Sequence, residues 1–193
     1  IMVAHNHRRF DSAVLTNSLA NISLLDKFCS IVSSFSDSLA IVKKLYPKRT
    51  TYKRECLVKD FVGEEYNSHD AVGDVTALSK LLNILKVQKT DFISKAYPSS
   101  SPYLQQLFIK SKNQNAPSLE ILQSEGIIKR GTLENIAGSG LNLSHLKLIY
   151  KLDGEDGLRN VLSMKNSIGQ CRCIERKATL EDVVGKMSTY FSK

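Results

Sequence analysis

From Ala71 to Leu85 the chain places apolar residues at i, i+4, i+7, i+11 and i+14: Ala71, Val75, Leu78, Leu82 and Leu85. A repeat of that length and period fits a helix buried along one side. Such a face needs a core to meet it. The chain can build one: 193 residues, 42% hydrophobic and 24% charged, are the proportions of a globular domain and exclude wholesale disorder. No apolar run approaches the roughly 18 residues of a membrane span, so no membrane partner is expected. The opening Ile1-Met2-Val3-Ala4-His5 lacks the pattern of a signal peptide. Four cysteines, Cys29, Cys56, Cys171 and Cys173, do not make a disulfide framework at this length. Cys171-Arg172-Cys173 has no second pair at zinc-like spacing and reads as two reduced thiols in one strand, which fits a reducing cell interior. Lys and Arg number 27 against 19 Asp and Glu, a net +8 that is compatible with a nucleic-acid partner but weak evidence for one.

The first residues, Ile1 to Asn6, read as a short buried strand running into a polar turn. The chain opens on this strand without a methionine, so a fragment of a longer protein is expected. Val14, Leu15, Leu19, Ile22 and Leu25 recur at helical spacing, with Asp11 in the first turn. The stretch 28–35 reads as a strand. A short helix over 39–45 is stopped by Tyr46-Pro47. Residues 87–102, with Ser99-Ser100-Ser101 and two prolines, read as a linker. Beyond it, 103–193 reads as mainly helical, with glycine breaks at Gly138, Gly140, Gly154 and Gly157. Residues 170–175 read as a strand, and Thr179-Leu180-Glu181-Asp182 as a helix start.

Two motifs carry candidate chemistry. One is His5-Asn6-His7-Arg8-Arg9-Phe10-Asp11, a strand end followed by a helix start; the other is His69-Asp70-Ala71-Val72-Gly73-Asp74, at the head of the long helix. Taken singly, Asp11 favours its helix dipole and His69 is an exposed residue before a helix. Together, and with Phe35-Ser36-Asp37-Ser38-Leu39 and Tyr52-Lys53-Arg54-Glu55-Cys56-Leu57 between them, they resemble the DEDDh (DnaQ- and RNase T-like) 3′–5′ exonucleases over roughly residues 1–86. That superfamily carries H-N-x-x-F-D after a strand and H-x-x-x-x-D in a late helix; here one extra residue separates Asn6 from Phe10.

The resemblance implies an α/β, RNase H-like exonuclease fold with a mixed central sheet lacking its first strands, followed by a mainly helical C-terminal extension. It implies a partial exonuclease-like domain at 1–86, the linker at 87–102 and the extension at 103–193. Asp11 and Asp74 would be ligands of Mg²⁺ or Mn²⁺ and His69 the general base. Two ions about 3.5–4 Å apart would activate water and stabilise the leaving oxygen. Asn6, Arg8, Arg9 and Phe10 would touch a single-stranded 3′ end of DNA or RNA. The superfamily's D-x-E motif has no place before Ile1, so an inactive fragment with half a metal cage is expected. Asp153-Gly154-Glu155, the one D-x-E downstream, reads as a surface turn.

The tail segments Leu133 to Leu141 and Asp153 to Leu158 resemble the region after the exonuclease-like domain in vertebrate, especially fish, proteins related to the long isoform of promyelocytic leukaemia protein. That likeness implies a nuclear (otherwise cytoplasmic) intracellular setting and nuclear protein partners. It brings in the alternative of a non-enzymatic docking module. Ile136-Ala137-Gly138-Ser139-Gly140 also faintly resembles a helix-hairpin-helix turn, against an ordinary helix end. Lys43, Lys44, Lys48, Arg49, Lys53 and Arg54 flank a turn and read as a solvated basic face.

Overall fold

The computed structural model describes residues 1–65, 70–165 and 173–193. The chain divides into two compact units, Ile1–Leu104 and Gln105–Lys193.

The first unit is built on three short strands. β1 (Met2–Ala4) lies parallel to β2 (Ser34–Asp37), with Met2 opposite Phe35 and Ala4 opposite Asp37; β3 (Ala96–Pro98) lies antiparallel to β2, with Tyr97 opposite Phe35. The strand order is β1-β2-β3. A 3₁₀ turn (His7–Arg9) leads into α1 (Asp11–Asn21) and α2 (Leu25–Ile31), which connect β1 to β2. After β2 come α3 (Ser38–Leu45), α4 (Arg54–Val62), α5 (Ala71–Ile84) and α6 (Lys89–Ser94). α3 stops where Tyr46-Pro47 forbids another turn. Gly63 ends α4 in the left-handed region, φ 76°, which a residue without Cβ adopts at little cost. Val42, Leu57, Val58, Ala77 and Leu81 of α3, α4 and α5 form one core. A second cluster is aromatic: Phe35 lies 6.0 Å from Phe28 and 5.8 Å from Tyr97, ring centre to ring centre.

This architecture corrects the expected α/β RNase H-like fold. Helix makes up 70% of the described residues, and the described sheet has three strands of three or four residues. At about 3.3 Å per residue such strands reach little more than 10 Å, too short for the central layer of a doubly covered sheet. Most backbone groups close their hydrogen bonds within helices instead. The stretch 28–35 is half helix, because Phe28 and Ile31 stand one turn apart in α2 and only Ser34 onward extends. The stretch 87–102 contains α6, closed by reciprocal bonds between Gln88 and Asp91, and β3. The helix over Ala71–Ile84 forms, but rotated from the expected face. Ala77, Leu78 and Leu81 are buried, whereas Val75 is 70% exposed.

The second unit is all helical among its described residues. It contains most of α7 (Ser101–Ser124), then α8 (Arg130–Gly138), α9 (Leu143–Ser163) and α10 (Lys177–Phe191). Leu119, Leu122, Ile136, Leu146, Leu158, Leu162, Val184 and Met187 are all fully buried in one core. The Asn142 side chain caps α9 by accepting from His145 N–H at 2.9 Å. α9 is broken at Gly154 (φ 59°, ψ −141°), a conformation open essentially to glycine alone. Three residues on, a Cβ at Gly157 would come 2.7 Å from Asp153 Cβ and 3.2 Å from Ile149 O. The Asp153-Gly154-Glu155 triplet is therefore the break itself. Of the stretch 170–175, residues 170–172 lie outside the described residues.

Two glycine substitutions should have opposite signs. Gly157→Ala forces atoms together across the break and should destabilise the chain by about 1–3 kcal/mol. Gly185 is exposed in α10, and a Cβ there would meet nothing within 4 Å, so Gly185→Ala should gain about 0.5–1 kcal/mol. Urea unfolding midpoints of the two variants check both.

Candidate functional site

The first motif is held by a single carboxylate. β1 ends at Ala4, beside Asp37 in the register, and Asn6 turns into the left-handed region at φ 57°. That turn aims backbone N–H groups at Asp37, which is only 8% exposed. Asp37 Oδ1 accepts from Asn6 N–H at 2.7 Å and from Leu39 N–H at 2.9 Å; Oδ2 accepts from Arg8 N–H at 3.4 Å. Asp37 is thus the N-cap of α3 and the clamp on the β1 turn at once.

His5 reinforces the clamp. Its Nε2 lies 2.8 Å from the Tyr52 carbonyl, which can only accept, so Nε2 carries the proton. Nδ1, 2.9 Å from Ser38 Oγ, then accepts from the hydroxyl when the ring is neutral. Burial lowers the His5 pKa below the ordinary 6.5, opposed by the Tyr52 carbonyl and by Asp37, with Arg54 adding to the lowering. His7 is buried between rings, 5.4 Å from Phe35 and 6.0 Å from Tyr97.

Asp11, Asp74 and Asn6 line one cavity of about 610 Å³, with His5, Lys43 and Arg54 also on its wall. Asp11 is the exposed first residue of α1. Asp74 is ion-paired with Arg54, Nη2 to Oδ1 2.5 Å. Arg8 lines a different cavity, with Asp37 and Tyr97. Phe10 is 70% exposed, and Arg9 closes the 3₁₀ turn. His69 lies outside the described residues. Among the described residues, no three His, Cys, Asp or Glu side chains come together as a metal-binding group. The Arg54 guanidinium sets one positive charge against Asp74. The basic stretch is also partly neutralised, since Lys44 pairs with Asp91 at 3.4 Å and Arg49 with Asp60.

A family model described as "PML, C-terminal domain" matches residues 115–193, almost the whole second unit. No curated protein and no solved structure matches the chain. The family found is not an exonuclease family, which, with the mostly helical fold, overturns the DEDDh resemblance and the exonuclease and hydrolase reading built on it. The segments Leu133 to Leu141 and Asp153 to Leu158 both fall inside the matched region. Nothing found supports a nucleic-acid partner. Among the described residues, no helix is long and apolar enough to cross a membrane.

Sequence reasoning gives Asp37 no role beyond its place in Phe35-Ser36-Asp37-Ser38-Leu39. The available signal was an acid just before the run Ser38-Leu39-Ala40-Ile41-Val42, the signature of a helix N-cap.

Two measurements follow. Asp37→Ala orphans three buried or half-buried N–H groups and should cost about 2–4 kcal/mol, while Asp11→Ala should stay within about 0.5 kcal/mol. Denaturant unfolding of both variants distinguishes a structural acid from an exposed one. His5, with its pKa lowered on folding, is neutral where the unfolded chain takes a proton. Its contribution is full above the ordinary 6.5 and is lost as pH falls through that value. The melting temperature should therefore drop between about pH 7.5 and pH 5.5, and His5→Gln should flatten that part of the profile.

Proposed function

We propose that this chain is a non-enzymatic docking module that works in the nucleus through protein partners. The observation that carries the reading is the match of the PML C-terminal domain model to residues 115–193, a stretch that is helical in every described element. Two features of the chain support it. Residues of the motif segments are engaged in architecture: Asp37 and His5 lock a turn, and Asp74, one of the two expected metal ligands, is ion-paired with Arg54. The second unit also presents Leu148 and Leu152, 54% and 72% exposed one turn apart on α9, each preceded by a lysine, Lys147 and Lys151.

Fluorescently tagged 1–193, expressed in cells, should concentrate in the nucleus and recover from photobleaching more slowly than an inert protein of equal size. Asp11→Ala should leave that recovery unchanged, since docking needs no carboxylate at the cavity. Exclusion from the nucleus, or recovery as fast as the inert control, sinks the proposal.

A further inference from the structure

The first unit holds a second cavity, of about 350 Å³, lined among others by Arg8, Asp37, Lys43, Ser94, Lys95 and Tyr97. Three cationic side chains line it from three elements, the 3₁₀ turn, α3 and the end of α6, with Lys43 shared with the larger cavity. Lys43, Lys95 and the Arg8 guanidinium have no acidic partner among the described residues, although the same unit pairs Lys44, Arg49, Arg54, Lys59 and Lys80 with acids. Two of the three are positioned by rings instead. The Arg8 guanidinium carbon lies 4.8 Å from the centre of Tyr97, on this wall, and Lys43 Nζ lies 5.4 Å from the centre of Tyr52, on the wall of the larger cavity. Asp37, the one acid on the wall, commits its oxygens to backbone N–H groups. Even without Lys43, Arg8 and Lys95 outnumber the one carboxylate, so the wall keeps a net positive charge.

We propose that this cavity binds a phosphomonoester dianion carried on a phosphorylated serine or threonine of a partner protein. A phosphomonoester carries nearly two negative charges at neutral pH and three strong acceptor oxygens. The guanidinium offers a planar pair of N–H donors, and the two ammonium groups and the Ser94 hydroxyl offer more. Stacking on Tyr97 restricts the guanidinium before binding, so less freedom is lost when it takes the phosphate. A cavity of this size suits one phosphoryl group on a side chain, whereas a nucleic-acid backbone calls for an extended basic track. The site lies wholly before the region matched by the family model, so it stands or falls apart from the docking reading above.

The test is fluorescence anisotropy with the whole chain and a short labelled peptide bearing phosphoserine and no other charged side chain. The phosphopeptide should bind and its unphosphorylated form should not. Arg8→Ala and Lys95→Ala, both surface changes on separate elements, should each weaken binding about tenfold or more with an unchanged thermal transition. Unlabelled phosphopeptide should displace the probe at lower concentration than inorganic phosphate. Four results would overturn the proposal: no dependence on the phosphate, unaltered affinity in both variants, equal displacement by inorganic phosphate, or stronger displacement by a single-stranded oligonucleotide without terminal phosphates.

Discussion

A buried carboxylate that accepts three backbone N–H groups holds the first unit together. Asp37 ends β2, caps α3 and gathers the turn that follows β1. Each of these would be weak alone. A three-residue parallel strand has few ladder bonds, and an eight-residue helix is marginal in water. By accepting from Asn6, Arg8 and Leu39, one side chain ties the strand pair to the helix and fixes the direction in which α1 leaves. Asn6 sits at positive φ, which redirects the chain after it as Arg8 N–H also comes to the acid. His5 and Ser38 extend the same clamp toward Tyr52.

That clamp also explains how the motifs misled. His5, Asn6, Asp37 and Asp74 are the residue types from which a metal-dependent hydrolase is made, in a plausible order. The same types close turns and pair with cations. Spacing carries an N-cap signal for Asp37, but it does not show that the turn after β1 also aims its amides at that acid. The structure does bring Asp11 and Asp74 to one cavity, yet it sets Arg54 against Asp74. The long helix was legible because a repeat over five apolar positions is hard to produce otherwise. Its buried face was not, since Ala77 and Leu81 complete the stripe with Leu78 while Val75 turns outward. Alanine is too small to weigh in a reading of apolar residues, but it lets α4 and α5 approach closely around Leu57 and Val58. The strands were the least legible elements. They are short, and Ser34, Ser36 and Asp37 have little strand propensity, so their pairing depends on contacts from distant parts of the chain.

The second unit shows the reverse balance. Its glycines marked real breaks: Gly138 closes α8, and Gly154 splits α9. Phe108 explains why Gly138 is small, because a Cβ there would lie 2.2 Å from its ring. Such close approaches let Leu119, Leu122, Ile136 and Leu146 reach full burial in a unit with no described sheet. A core of this kind fixes the positions of the helix faces around it.

Charge placement connects the fold to recognition. A net +8 is a self-repulsion that folding must tolerate, and the usual remedy is to interleave acids. The first unit follows that remedy on its outer helices, where Lys59 meets Glu65 and Lys80 meets Glu64. Such exposed pairs are screened and contribute little to stability. Around β2 the pattern changes: Arg8 and Lys43 rest on tyrosine rings, and the nearest acid is occupied by backbone amides. An aromatic face attracts a cation without cancelling its charge, so the field directed into the cavity persists. The carboxylate that stabilises the turn thus contributes in a second way: with its oxygens committed to amides, it is poorly placed to pair with the cations beside it.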